Sequence, residues 1–541
     1  MSVDPRAGTL APAAEVVDVA KLTTAFFDRK PDVSVPEQRV IFGTSGHRGS
    51  SFDATFNENH IAAITQAICR HRFANGVDGP LYVGRDTHAL SEPAFYVALE
   101  VLAANGVMAI VDVAGGFTPT PVISHAILSY NKGRADHLAD GIVITPSHNP
   151  PQDGGLKYNP PEGGPAPTAV TSWIEKFANS LLESNLRDVK RMGKMGGAVP
   201  NVLPHDYTGA YISDLQNVVD METIAASGIR IGVDPLGGAA TQYWQPIAEK
   251  YRLALTVTDP TIDPTFRTVP RDWDGKIRMD CSSPYPMSRL LDRRGDFDIA
   301  FANDTDADRH GIVTQRGLMP PNDYLAVCAS YLGREREQFH GRGIGKTIVS
   351  SAMIDRVATS LNRSLFEVPV GFKWFVDGLL KGSLYFSGEE SAGSSFLRRN
   401  GEVWTTDKDG LIAGLLAAEI SARTRQAPDA LFAALKEMLG ETFYARVDQQ
   451  ASAALRARLP KVAPNDVRAS QLGGDPITRK QVNAPGNGAP IGGIKLLTDR
   501  GWIAARPSGT EDVYKIYAES FVSAAHLEQL QTDAQAVVAG L

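Results

Sequence analysis

Cysteine is scarce in this chain. Its 541 residues include three, Cys69, Cys281 and Cys328. They are far apart and never form a Cys-x-x-Cys pair, which argues against a disulfide framework or a zinc knuckle and fits a reducing compartment. Long apolar runs are missing as well, since no stretch reaches the ~20 uninterrupted residues that span a bilayer. No basic segment followed by an apolar core opens the chain, so no secretory signal is expected. Positive charge is not in excess: the formal net charge is -7, whereas nucleic-acid binders usually carry a basic stripe. An anionic substrate is still compatible with an acidic chain if basic residues line its cleft. Hydrophobic content of 43% and charged content of 21% are those of a globular protein. A cytoplasmic protein, with neither nucleic acid nor membrane as partner, is the expectation.

One hydrophobic core cannot serve a chain of this length, so several domains are expected. Residues 1–40 hold an amphipathic stretch at 16–27 and a Pro-containing linker, an extension that could pack on the body or on a second subunit. From Phe42 strands and helices alternate. Ile61, Ile64 and Ile68 have helical spacing, Leu81-Tyr82-Val83 is a strand ending in Gly84-Arg85-Asp86, and Ser91 is the expected N-cap of the next helix. Such alternation implies crossover units and a largely parallel sheet. Val83-Gly84-Arg85-Asp86 recurs as Ile231-Gly232-Val233-Asp234, and a third unit is expected from Lys346-Thr347-Ile348-Val349, which would make three related α/β domains. Residues 193–204 read as a linker. Beyond Leu439-Gly440 the pattern becomes a hairpin-like run at 494–505, turning near Asp499-Arg500-Gly501, and then a strand at 513–518. The expected division is an extension at 1–40, α/β domains at 41–205, 206–319 and 320–438, and a smaller C-terminal α+β domain at 439–541.

Two loops carry the chemistry. Thr145-Pro146-Ser147-His148-Asn149-Pro150 follows the apolar run Gly141-Ile142-Val143-Ile144. This puts a serine hydroxyl on a Pro-bounded turn at a strand's carboxyl end, where open α/β sheets place ligands. Lys157 stands ten residues further on, and no G-x-S-x-G elbow is present, which disfavours a Ser/His/Asp triad. Far downstream, Asn303-Asp304-Thr305-Asp306-Ala307-Asp308-Arg309 follows Ile299-Ala300-Phe301-Ala302. A lone D-x-D-x-D is most often a solvated loop. An EF-hand is excluded, because its sixth position would be Arg309 rather than Gly and its twelfth Gln315 rather than Glu. Three converging carboxylates suit a hard cation such as Mg²⁺. A serine, three alternating carboxylates and an arginine together point to metal-assisted phosphoryl transfer. Two decoys fail on residue grounds: the P-loop-like run ending in Gly345-Lys346-Thr347 has His340 where the first glycine is required, and no G-x-G-x-x-G occurs after the strands.

These motifs together resemble the α-D-phosphohexomutase superfamily and, within it, the bacterial-type phosphoglucomutases specific for α-D-glucose phosphates. The resemblance covers nearly the whole chain from Phe42. It implies three related α/β domains and a smaller C-terminal α+β domain around a central cleft. By resemblance Ser147 carries a phosphoryl group, and Asp304, Asp306 and Asp308 hold one Mg²⁺ together with a phosphoserine oxygen. Arg309, and Arg48 in Gly43-Thr44-Ser45-Gly46-His47-Arg48-Gly49, clamp phosphoryl oxygens. His148 hydrogen-bonds phosphate. Lys157 assists proton transfer, as a base if its pKa is lowered or else as a positioned charge.

The loop Gly388-Glu389-Glu390-Ser391-Ala392-Gly393 resembles that of glucose-specific members, with Glu389 and Ser391 reading adjacent sugar hydroxyls. Lys373, in Gly371-Phe372-Lys373-Trp374-Phe375, approaches the sugar. Arg506, Ser508, Gly509 and Thr510, in Arg506-Pro507-Ser508-Gly509-Thr510-Glu511, hold the non-reacting phosphate. Two positions depart from the family: His47 stands where Leu or Ile is common, and Phe372 where Trp is commoner. The implied reaction is reversible interconversion of α-D-glucose 1-phosphate and glucose 6-phosphate, with glucose 1,6-bisphosphate as intermediate and activator. A homodimer through the first domain is also compatible with it. The alternatives are a mutase of broader sugar specificity, acting on mannose or glucosamine phosphates, a phosphatase, and a non-catalytic phosphosugar-binding protein. The last has no need of a phosphorylatable serine beside a metal site.

Overall fold

The apolar runs that precede the two motif loops, Asp140–Ile144 and Ile299–Ala302, are strands buried along their whole length. Strands covered on both faces read as continuous hydrophobic runs rather than as alternation, which is why they stand out in the sequence. The computed structural model describes residues 3–43, 46–192, 199–507 and 513–541.

The first sheet runs in the order Phe42–Gly43, Gly46–Ser50, Asp153–Asn159, Asp140–Ile144, Leu81–Arg85, Ala109–Asp112, Val202–His205. Its last four strands are parallel, with helices Ser91–Ala104 and Thr120–Asn131 as crossovers. Asp153–Asn159 turns back antiparallel on Asp140–Ile144, so the Ser147 loop is the turn between them. The second sheet repeats the device: Ile299–Ala302 is parallel to Ile231–Asp234 and antiparallel to Gly311–Thr314, with the aspartate loop between. The third does so again, Leu384–Glu389 lying parallel to Gly343–Thr347 and antiparallel to Gly393–Phe396 around the Glu390–Ala392 turn. Each turn holds one non-glycine residue in the left-handed region: Ser147 at φ 57°, Ala307 at 54° and Ala392 at 67°. Such residues are uncommon and cluster in constrained turns.

The fourth sheet is wholly antiparallel, in the order Phe443–Gln450, Val513–Ser520, Gly501–Pro507, Pro490–Leu497, Arg479–Asn483, and helix Ala524–Ala539 backs it. The second and third domains share one core, in which Phe301 of the second lies against helix Gly410–Thr424. A smaller cluster with Ile348, Val349, Ile491 and Trp502 joins the third domain to the fourth. The amphipathic stretch expected at 16–27 forms helix Val19–Asp28, which buries Leu22 and Phe26 in the first domain.

Three expectations change. Ser91 is the first residue of its helix rather than the N-cap, because its hydroxyl donates to Asp86 at 2.5 Å. Residues 193–204 are not all linker: Val202–His205 pairs parallel with Ala109–Asp112 as an edge strand, a place where Pro204 is tolerated because its missing N–H need not join a ladder. The third repeat begins earlier than Lys346, on the strand Gly343–Thr347.

Gly155 packs so tightly on the serine loop that an added Cβ would collide with the Thr145 carbonyl. Gly155→Ala is expected to destabilise the first domain by about 2–3 kcal/mol, read as an earlier first transition in calorimetry. In Gly295→Ala the new Cβ meets nothing within 4 Å, and the profile should hold within about 0.5 kcal/mol.

Candidate active site

The first two motif loops lock together. Ser147 Oγ donates to Asp304 Oδ2 at 2.7 Å, and Thr305 Oγ1 donates to the Ser147 carbonyl at 2.6 Å. The Ser147 side chain is buried, as are Asp304, Asp306 and Asp308, and one oxygen from each of the three aspartates lies within 4.8 Å of the others. Burial together with Asp306 and Asp308 pushes the Asp304 carboxyl well above its ordinary value. Cations answer this crowding. Lys157 Nζ donates to Asp306 at 2.6 Å and Asp308 at 3.2 Å, and Lys408 Nζ lies 3.0 Å from Asp308. Arg309 Nε stands 3.9 Å from both Asp304 and Asp308. From the first domain, Thr120 donates through Oγ1 to Asp306 Oδ2 at 2.5 Å and through its N–H to the Asp306 carbonyl at 2.9 Å. Asp306 Oδ1 and Asp308 Oδ1 are buried with no hydrogen-bond partner among the described residues. A cluster of hard oxygen donors with unfilled acceptors suits a divalent cation.

A hub behind the serine sets the turn. Thr145 Oγ1 donates to Asp86 Oδ2 at 2.7 Å and accepts from Ser147 N at 2.8 Å. Asp86 also accepts from His88 N at 3.0 Å, from His88 Nδ1 at 2.8 Å and from Ser91 Oγ. His88 Nε2 donates to the Asn149 carbonyl at 3.0 Å. Both ring nitrogens therefore face acceptors, which requires the doubly protonated imidazolium. Burial pushes the ring's pKa down, but Asp86 outweighs it and holds it above the ordinary value. The same pairing overcomes burial at Asp86 and depresses its carboxyl.

The remaining candidates divide. Arg48 Nη1 donates to Asn149 Oδ1 at 3.4 Å, which puts it on the serine loop. His148 Nδ1 is 3.4 Å from Ser147 Oγ, and burial followed by Arg309 keeps its ring well below the ordinary value. Glu389 is buried, accepts from Gly371 N at 2.8 Å and lies 4.0 Å from Lys408, so Lys408 joins the third loop to the second; burial pushes the Glu389 carboxyl up to about 7. Ser391 is half-buried in the same turn. Lys373 reaches the first domain, donating to Thr168 Oγ1 at 2.9 Å, and burial lowers its pKa. Arg506 donates to the Ile491 carbonyl within its own domain, and no hydrogen bond or ion pair among the described residues joins it to the carboxylates. Ser508, Gly509 and Thr510 lie outside the described residues.

His47 is a core residue, its ring against Phe56 and His60, and burial drives its pKa to about 4. Lys157 departs from the lowered pKa that a ready base requires. Burial pushes its ammonium down, but Asp306 and Asp308 hold it above its ordinary value. Sequence reasoning missed Thr120, Lys408 and Asp280. Asp280 stands 3.8 Å from Arg309, and although burial opposes it, the Arg309 charge depresses its carboxyl. The charged run Asp407-Lys408-Asp409, three residues after the buried Trp404, is a signal that could have found Lys408.

Four family models match the chain: phosphoglucomutase/phosphomannomutase alpha/beta/alpha domain I at residues 39–184, domain II at 209–317, domain III at 320–438 and the C-terminal domain at 449–536. A phosphoglucomutase of Komagataeibacter xylinus is 56% identical over 543 residues, covering 100% of this chain and 98% of the relative. Among solved structures, the parafusin (phosphoglucomutase) of Paramecium in its open form superposes with a TM-score of 0.71 at 21% identity, over 95% of each chain. A phosphoglucomutase/phosphomannomutase family protein of Burkholderia thailandensis gives 0.68 at 22%, over 92% of this chain and 97% of that one. These two likenesses are of fold.

The Asp86–His88 pair has a pH signature. The raised His88 value adds stability that is complete below the ordinary 6.5 and is lost as pH rises through the folded value. The depressed Asp86 value adds stability present above 3.8 and lost as pH falls through the folded value. Asp86→Asn should therefore lower the melting transition most between about pH 4 and pH 6.5, by an amount on the order of 3 kcal/mol, and less near pH 9. A difference that does not vary with pH would contradict the imidazolium assignment.

Proposed function

The chain belongs to the phosphoglucomutase/phosphomannomutase family, and from that premise we propose that it is a phosphoglucomutase, interconverting α-D-glucose 1-phosphate and glucose 6-phosphate. The observation that carries the reading is the buried Ser147 hydroxyl, 2.7 Å from Asp304 in a cluster of three carboxylates ringed by Lys157, Lys408 and Arg309. Phosphorylated Ser147 gives its phosphoryl group to the free sugar hydroxyl, forming glucose 1,6-bisphosphate. After reorientation of that intermediate, Ser147 takes back the other phosphoryl group. Such transfer depends on alignment and charge stabilisation. The buried serine also keeps water from the phosphoryl group, which would otherwise hydrolyse.

Asp304, Asp306 and Asp308 are the residues that would hold Mg²⁺, with a phosphoserine oxygen; their oxygen donors and the two unpartnered Oδ1 atoms fit it. When bound, the ion neutralises charge on the phosphoryl group. Arg48 and Arg309 orient phosphoryl oxygens, and His148 hydrogen-bonds them. Lys157 holds positive charge, and a proton, at the reacting oxygen. Glu389, Ser391 and Lys373 read the sugar, supported by the link from Glu389 through Lys408 to Asp308. Arg506, Ser508, Gly509 and Thr510 hold the second phosphate as the fourth domain closes.

No helix among the described residues is long and apolar enough to cross a membrane. The unpaired, buried cysteines Cys69, Cys281 and Cys328 fit a cytoplasmic setting. A homodimer through the first domain is supported by the exposed apolar side chains of Phe73, Tyr96 and Trp173 there.

The test is a coupled mutase assay with Mg²⁺ and a trace of glucose 1,6-bisphosphate. Glucose 1-phosphate should exceed mannose 1-phosphate and glucosamine 1-phosphate in kcat/KM by about 100-fold or more. Ser147→Ala should abolish turnover, and Lys157→Met should lower kcat by about 10²–10³. Comparable rates on mannose 1-phosphate would sink the sugar assignment, and an unchanged rate in Lys157→Met would remove that residue from the mechanism. Release of inorganic phosphate in place of isomerisation would make the chain a phosphatase.

A further inference from the structure

Residues 3–16 precede every matched family segment, the first of which begins at residue 39, yet they are tied down along the second domain. Asp4 N donates to the Trp273 carbonyl at 2.8 Å, Gly8 N donates to the Arg271 carbonyl at 2.8 Å, and Arg271 N donates to the Thr9 carbonyl at 2.9 Å. The buried Arg271 guanidinium pairs with the half-exposed Glu15 at 3.0 Å. Ala11 and Val16 pack against the cluster that contains Phe266, Ile277, Met279 and Cys281. The next residue, Val17, packs into the first domain's core instead, followed there by Leu22 and Phe26. The chain thus passes from one domain's core to the other's between adjacent residues. The fit is close: Gly275, at φ 76°, has no room for a Cβ, which would lie 2.5 Å from Asp4 Oδ2.

The second-domain segment held in this way, residues 271–280, leads directly to the active site. It closes on itself through the Arg271–Ile277 bridge, with Asp272 N donating to the Lys276 carbonyl at 2.7 Å. At its far end Met279 N donates to the carbonyl of His148, the neighbour of Ser147, at 3.2 Å. Asp280 follows, 3.8 Å from Arg309.

We propose that residues 3–16 are a positioning strap. They fix the 271–280 segment of the second domain against the serine loop of the first, and so hold the His148 carbonyl and Arg309 in register with Ser147. A chain terminus is poorly ordered unless something ties it down, and here backbone hydrogen bonds, an ion pair and two apolar side chains do so. Loosening the strap lets the two loops drift, and phosphoryl transfer between aligned groups is sensitive to displacements of ångström scale. The catalytic consequence rests on the phosphoglucomutase reading; the structural one does not.

The test uses the full chain carrying Gly8→Pro, which deletes the N–H bonded to Arg271 and forbids the observed φ of 78°. Glu15→Gln removes the partner of Arg271, and Glu15→Asp is the conservative control. Two quantities are read: hydrogen exchange of peptides spanning 270–283, and kcat and KM for glucose 1-phosphate. Gly8→Pro should speed exchange in 270–283 while peptides of the fourth domain stay unchanged. It should lower kcat about ten-fold with KM held within about two-fold. Glu15→Gln should act in the same direction but more weakly, and Glu15→Asp should restore most of the loss. Unchanged exchange at 270–283 in both Gly8→Pro and Glu15→Gln would overturn the strap. So would a rise spread over the whole chain, or a local rise with kcat intact in an active enzyme. If the wild-type chain lacks mutase activity, the proposed function fails and exchange alone decides: a local rise supports the strap and its absence refutes it.

Discussion

Three carboxylates buried together repel one another, and the rest of the site is arranged around that repulsion. At an effective dielectric constant near 20, unit charges about 5 Å apart cost about 3 kcal/mol per pair, which a folded chain sustains only with compensation. Here it comes from all three α/β domains. The first supplies Lys157 and Thr120, the third supplies Lys408, and the second supplies Arg309 itself. Because the partners come from different domains, the charge cluster also fastens the domains to one another. The site and the domain arrangement are therefore one electrostatic problem, which a divalent cation at the two unpartnered oxygens would complete.

Geometry comes from one device used three times. A buried parallel strand ends in a turn with one residue in the left-handed region, and an antiparallel strand carries the chain back. The turns bear a serine, the aspartates and a glutamate in succession, so a single fold repeat presents three chemistries to one cleft. Behind the first turn, Asp86 converts a hydrogen-bond network into a fixed orientation of the Ser147 amide through Thr145. The N-terminal arm bears on the same turn from the second domain's side, through the Met279–His148 bond.

Much of this was legible in the chain because the signals are local. Apolar strands of four or five residues that run straight into Pro-bounded or acidic turns announce both the fold repeat and the two main loops, and Glu389 sits in a comparable turn. What the sequence hid was set by tertiary distance. Lys408 lies 100 residues beyond Asp308 and Thr120 lies 186 before Asp306, so nothing local ties either to the aspartate loop. The choice between a base and a positioned charge at Lys157 could not be made from the sequence because its carboxylate partners are 149 and 151 residues away. The Val202–His205 strand was missed because it is a short, exposed, Pro-containing edge, and Ser91 because its hydroxyl serves Asp86 rather than its own helix.

The central claim is that Ser147 carries the phosphoryl group beside the three aspartates. Its most direct test is phosphopeptide mapping of the wild-type chain after incubation with glucose 1,6-bisphosphate and acid quench. The account requires one phosphoryl group, located on Ser147 and transferred to glucose 1-phosphate, as glucose 1,6-bisphosphate, when that monophosphate is added in excess. A phosphoryl group on another residue, or none at all in a chain that still isomerises glucose 1-phosphate, would contradict it.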